Sequence, residues 1–132
     1  MYIEFGCFDD LIESSVRQKV FKAVDHHLVN GISIHQNILP YIISFLPATK
    51  NISCPIDWPF GISTTKVRNF ISLNTIHQKV KTLDLVLSPH WLIDKEKKKF
   101  QLFISDLQSN IDICKQNNVD LRAMIDCRQL SM

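Results

Sequence analysis

The sequence predicts an α/β protein, a single domain in which five parallel strands alternate with four helices. Three observations predict it. Short apolar runs recur along the chain, each bounded by Gly, Asn, Asp or Pro. The longer stretches between them carry apolar residues at helical spacing. The two patterns alternate instead of clustering, as expected of a sheet built by right-handed strand-helix-strand crossovers.

Residues 1–6 are apolar and bounded by Gly6, a first strand. From Asp9 to Leu28, Ile12, Val16, Val20 and Val24 recur every four residues with Phe21 and Leu28 beside them. This spacing predicts an amphipathic helix, capped by Asp9 or Asp10 and closed by Asn30-Gly31, which tolerate a left-handed backbone. Ile32 and Ile34 alternate with Ser33 and His35 in a second strand, and Asn37–Leu46 reads as a brief helix with Pro40 near its start and Pro47 beyond its end. Ile52–Ile56 is a third strand. Ser63-Thr64-Thr65 is a helix start at which Ser63 or Thr64 can cap, with Val67, Phe70, Ile71 and Val80 supplying part of an apolar face. Leu83, Leu85 and Leu87 alternate with Asp84, Val86 and Ser88 in the fourth strand. Phe100, Phe103, Ile104, Leu107, Ile111 and Cys114 then form one buried helical stripe, Asn117-Asn118 ends it, and Leu121–Ile125 is the fifth strand.

Composition narrows the function. With 45% apolar and 21% charged residues the chain is an ordinary folded domain, not a disordered one. A net charge of +2, scattered except at Lys95, Lys97, Lys98 and Lys99, speaks against a nucleic-acid partner, and that cluster reads as a solvated helix start. Cys7, Cys54, Cys114 and Cys127 never form a C-x-x-C pair, so no zinc or redox motif is present and buried free thiols are expected. His26, His27, His35, His77 and His90 have no ligand spacing, so neither a metal nor a cofactor is expected. Trp58 and Trp91 follow strands and are expected to pack over the end of the sheet. No segment is apolar for long enough to span a bilayer and no leader pattern opens the chain, which predicts a cytoplasmic protein, in host-cell cytoplasm or a virus particle if its source is viral.

The run Asp57-Trp58-Pro59-Phe60-Gly61-Ile62-Ser63-Thr64-Thr65-Lys66-Val67 resembles the loop after the third strand of deoxyribose-phosphate aldolases, where an aromatic-Pro-x-Gly segment leads into a Thr-Thr helix start. Leu83–Leu87 looks like the fourth strand of that family, with Asp84 at the place of an aspartate used in proton transfer. Leu121–Asp126 looks like its fifth strand, with Arg122 where the family usually has lysine and Asp126 where it usually has glutamate. Ile32–His35 and Pro40 fit the second strand and its helix, with Ser33 replacing a frequent cysteine. In the first strand Glu4-Phe5-Gly6 stands where the family has an Asp-containing motif.

The resemblance implies a (β/α) barrel of TIM type, truncated to five strand-helix units, because 132 residues fall short of the roughly 250 of a closed eight-stranded barrel. It also implies that the Schiff-base lysine, on the sixth strand, lies outside these residues. Of the lysines present, Lys50 reads as a loop residue and the others as helical or helix-terminal, so none is placed to lose its proton on a buried strand. Candidate catalytic residues are therefore Asp84, Arg122 and Asp126, and candidate binding residues Ser33, His35, Thr64 and Thr65. Strand alternation sets Asp84 and Arg122 on the barrel side, where an interior ion pair is the structural expectation and a vestigial aldolase pocket the functional one. The leading expectation is a catalytically incomplete aldolase-like subunit used in a homo-oligomer or larger complex. An aldolase acting on a sugar phosphate, its lysine supplied by a partner or a longer parent chain, is second. An open flavodoxin-like sheet binding a small ligand is third.

Overall fold

The computed structural model describes residues 1–7, 14–88 and 97–125. Strand β1 (Glu4–Cys7), helix α1 (Ser14–Asp25), strand β2 (Gly31–Ile34), helix α2 (Leu39–Ile42), strand β3 (Asn51–Ile56), helix α3 (Thr65–Ile76), strand β4 (Thr82–Val86), helix α4 (Lys97–Gln116) and strand β5 (Asp120–Met124) follow one another. A single 3-10 turn, Ile43–Phe45, continues α2. The strands form one sheet in the order β1-β2-β3-β4-β5, each neighbouring pair parallel. That sequential order removes the open flavodoxin-like alternative, whose strand order reverses at a switch point.

Alternation along the strands sorts the side chains into two environments. Ile32 and Ile34 pack with Val20 and Val24 of α1 and with Ile38 and Ile42 around α2. Cys54, Ile56, Leu83 and Leu85 pack with Phe103 and Cys114 of α4. Each fully buried aliphatic side chain there stabilises by about 1.5–3 kcal/mol. The opposite face is polar: Glu4, Ser33, Asn51, Ser53, Thr82, Asp84 and Arg122 are joined by hydrogen bonds across the strands.

One of those bonds reports the shape of the sheet. Four strand spacings would put β1 and β5 on the order of 19 Å apart if the sheet were flat. Arg122 Nη2 of β5 nevertheless lies 2.6 Å from Glu4 Oε2 of β1. The sheet therefore curls, and its polar face is the concave inside of a partial barrel.

Several sequence expectations are corrected. Asn30-Gly31 does not close the first helix; α1 ends at Asp25, the Asn30 Oδ1 accepts a hydrogen bond from Ile3 N, and Gly31 opens β2. Thr64 is the N-cap residue of α3 but makes no side-chain cap bond, and Ser63 instead gives its N–H and its hydroxyl to Asp57. The buried face of α3 is Arg68, Ser72 and Thr75, whereas Val67 and Phe70 are exposed. Likewise α4 buries Phe103, Asp106, Asn110 and Cys114 and leaves Phe100 and Ile104 exposed. The reason is a polar seam between the two helices. Arg68 meets Asp106 at 2.5 Å, Asn69 meets Ser109 at 2.7 Å and Ser72 meets Asn110 at 2.9 Å. The caps Asp9 and Asp10, Lys95, His90, Trp91, Asp126 and Cys127 lie outside the described residues.

Candidate functional site

The concave face carries a charged cluster built from all five strands. Arg122 points inward from β5 and meets Asp84, its register partner on β4. The pair is bidentate: Nε lies 2.6 Å from Asp84 Oδ1 and Nη2 lies 2.9 Å from Oδ2. The same Nη2 reaches Glu4 Oε2 across the trough. Ser33 of β2 donates its hydroxyl to Asp84 Oδ2 at 3.2 Å, and Ser53 of β3 donates to Glu4 Oε1 at 3.1 Å. Every strand of the sheet thus contributes one residue. Below this layer Asn51 Nδ2 donates to the Tyr2 hydroxyl at 2.9 Å and to Thr82 Oγ1 at 3.2 Å.

Gly31 makes room for the cluster. A Cβ there would lie 2.9 Å from Glu4 Oε1 and as close to Asn51 O, and would also meet the Tyr2 hydroxyl. Any side chain at this position would force Glu4 and Tyr2 to shift.

The electrostatics hold the cation charged. The Asp84 hydrogen bonds, and after them those of Glu4, raise the Arg122 pKa above its ordinary value and outweigh its partial desolvation. Asp84 is 3% exposed. Both of its oxygens are engaged by Arg122 and Ser33, so no carboxylate oxygen there is left without a donor.

The expected pair of Asp84 and Arg122 is therefore present and Ser33 joins it. His35 does not. It follows the end of β2, where its Nδ1 accepts a hydrogen bond from Asn37 N at 3.3 Å, and burial lowers its pKa. Thr64 and Thr65 sit at the start of α3, outside the cluster, and Trp58 follows β3 with a third of its surface exposed. No local pattern in the sequence marks Glu4 or Ser53 for the cluster; Glu4 stands out there only as a departure in the first strand, because its partner is 118 positions away.

A second buried group sits at the other side of β4. Arg68 is fully buried, bonds Asp106 Oδ2 and the carbonyl oxygen of Val86, and lies 3.6 Å from Asp57 Oδ2. Asp57 in turn holds the loop before α3, in which Gly61, at φ +65°, packs onto the β4 backbone and the Trp58–Pro59 peptide is cis. This group ties loop, helix and strand together. Its signal in the sequence was the polar spacing Arg68, Ser72, Thr75 on α3 matched by Asp106 and Asn110 on α4.

No lysine of the described residues lies on a strand. Lys50 and Lys81 precede β3 and β4 and give their ammonium groups to backbone carbonyls. Among the described residues no cluster of His, Cys, Asp and Glu is arranged to hold a metal ion.

A curled, sequentially ordered parallel sheet with helices on its convex side defines a partial (β/α) barrel. Comparison sharpens the class. A structure assigned as a deoxyribose-phosphate aldolase from Coccidioides immitis superposes with a TM-score of 0.82 at 14% identity, over 99% of this chain and 50% of that one. A deoxyribose-phosphate aldolase from Aeropyrum pernix, described as tetrameric, superposes with a TM-score of 0.66 at 12% identity over 92% of this chain and 49% of that one. In sequence, the chain is 30% identical over 80 residues to the deoxyribose-phosphate aldolase of Microcystis aeruginosa, covering 61% of this chain and 33% of that enzyme. No family model matches the chain. The fold is thus deoxyribose-phosphate-aldolase-like, with about half of the barrel present, and the chain spans half or less of the length of these relatives.

Proposed function

We propose that this chain is a catalytically incomplete, deoxyribose-phosphate-aldolase-like subunit, one domain that serves interaction or assembly. The observation that carries the reading is the Arg122 cluster. Schiff-base catalysis needs an uncharged primary amine that attacks a carbonyl carbon while a nearby acid-base group moves protons. Among the described residues no lysine lies on a strand, and the strand position facing Asp84 holds a guanidinium, which stays protonated at any working pH. Asp84 is spent on holding it. Asp84, Arg122 and Asp126, the positions that correspond to the aldolase residues, are on this reading structural or vestigial, and Ser33, His35, Thr64 and Thr65 are what remains of a binding side.

Supporting the assembly part, the described half barrel leaves β1 and β5 as edge strands, and unpaired edges invite pairing with another chain. The Aeropyrum pernix protein is tetrameric, which adds to the expectation of an oligomer. We place the protein in the cytoplasm because Cys54 and Cys114 are buried free thiols, the state a reducing compartment maintains. No helix of the described residues is long and apolar enough to cross a membrane.

The test is borohydride trapping on the purified chain with deoxyribose 5-phosphate, read by intact mass. The expected result is an unmodified chain and no retro-aldol turnover; a stoichiometric adduct on any lysine overturns the reading. The second reading, a lyase for a sugar phosphate completed by a partner or a longer parent chain, is favoured by one observation: the similar aldolases are about twice as long as the part matched here.

A further inference from the structure

The Glu4 carboxylate lies in a receptor that the rest of the trough builds around it. Arg122 of β5 donates from Nη2 to Oε2 at 2.6 Å, Ser53 of β3 donates its hydroxyl to Oε1 at 3.1 Å, and the Tyr2 hydroxyl lies 3.5 Å from the same oxygen. These donors are held in place by other partners. Asp84 fixes the guanidinium through Nε and Nη2, Asn51 donates to the Tyr2 hydroxyl, and Ser53 is fully buried on the central strand. Gly31 keeps the space beside Oε1 open, because a Cβ there would lie 2.9 Å from that oxygen. Removing Glu4 leaves the Ser53 hydroxyl a buried donor without the acceptor it has here, which is costly. It also leaves a guanidinium that keeps 40% of its side chain in solvent and is reachable by a solute. Glu4 and Arg122 are both departures from the aldolase pattern that the sequence resembles, so this receptor is a feature of the chain itself.

We propose that Arg122, Ser53 and Tyr2 form a binding site for a small monocarboxylate of acetate size, which Glu4 fills from within the chain and thereby keeps closed. The size follows from what Glu4 contributes: beyond its Cβ the side chain is one methylene and one carboxylate, the heavy atoms of acetate. The class follows from shape and charge. A guanidinium matches a planar carboxylate, and a single negative charge restores the balance that Glu4 supplies, whereas the second charge of phosphate would stand unmatched beside Asp84. Closure follows from the tether. A carboxylate carried on β1 competes at an effective concentration on the order of millimolar or above, so a free acid enters only as Glu4 swings out. Its entry breaks the one bond that joins β1 to β5 across the trough, which couples binding to the contact that spans the curled sheet. The proposal stands independently of the assembly reading.

The experiment titrates the whole chain and its Glu4→Ala variant with sodium acetate, against sodium chloride at equal ionic strength, reading Tm and the NMR signals of the Ser53 amide and the Arg122 Nε–H. Glu4→Ala is expected to melt below the parent in chloride and to regain stability saturably with acetate, the Ser53 and Arg122 signals moving on the same curve. If Glu4→Ala is unfolded in chloride, the reading is recovery of its folded signals by acetate. The parent is expected to bind acetate at least about a hundredfold more weakly. Glu4→Gln, whose amide still fills the receptor, and Glu4→Ala combined with Arg122→Met are expected not to respond. Absence of an acetate-specific gain or of folding in Glu4→Ala overturns the proposal. An equal gain in either control variant also overturns it, since that marks a general salt effect. Phosphate as effective as acetate overturns the ligand class, and equal affinity in the parent and Glu4→Ala overturns closure by Glu4.

Discussion

At the scale of single residues, Arg122 and Asp84 differ in what their removal exposes. Asp84 is 3% exposed, while the Arg122 side chain keeps 40% of its surface in solvent and a second partner in Glu4. Arg122→Met therefore leaves a buried carboxylate uncompensated, and we expect a loss of about 3–5 kcal/mol. Asp84→Asn leaves a cation that water and Glu4 still serve, and should cost about 1–3 kcal/mol. Urea denaturation of both variants checks the order; equal stabilities, or the reverse order, would contradict it. His35 gives a pH signature. Burial lowers its pKa below 6.5, and its Nδ1 must be unprotonated to accept from Asn37. As pH falls the unfolded chain takes up the proton first, so this stabilisation is complete above about pH 6.5 and is lost as pH falls through the lower folded-state pKa. The fall in Tm between pH 7 and pH 5 should be smaller in His35→Asn by the histidine's share; identical profiles would contradict the assignment. The pairing of Asp84 with Arg122 was legible from strand alternation alone. Glu4 was not, because its contact exists only once the sheet curls, and no local pattern encodes that curvature.

At the scale of elements, every strand but the first was read within a residue or two, since period-two alternation survives whatever covers the sheet, whereas the first begins at Glu4 and not at residue 1. The helix faces were read less well. Hydrophobic periodicity assumes that the buried stripe is the apolar one, and α3 and α4 break that assumption with Arg68, Ser72 and Thr75 against Asp106 and Asn110. Val67, Phe70, Phe100 and Ile104 are displaced to the outside as a consequence. Arg68 is the centre of this seam. Arg68→Met should destabilise by about 3–5 kcal/mol, because Asp106 and Asp57 then face each other without a cation. Combining it with Asp106→Leu should recover most of the loss, since an apolar pair of similar volume removes the buried charge. Urea midpoints for the single and double variants test this; a single variant as stable as the parent would show that the seam is not held by charge.

At the scale of the whole molecule, strand-helix alternation announced a parallel sheet but could not choose between an open and a curled one. Sequence order and curvature decided that, through the β1-to-β5 ladder sequence and the Glu4–Arg122 contact. Among the described residues the half barrel has a polar trough and two edge strands, with apolar and backbone groups that a partner would cover, and a standard interface of about 800 Å² per side suffices for one edge and its flank. The most direct test of the account is the mass of the native assembly isolated through a tag on this chain, with amide exchange read on β1 and β5 in the same preparation. The account predicts a mass above that of one chain, with β5 protected in the assembly and exchanging faster in the separated chain. A lone monomer with both edge strands strongly protected would contradict it.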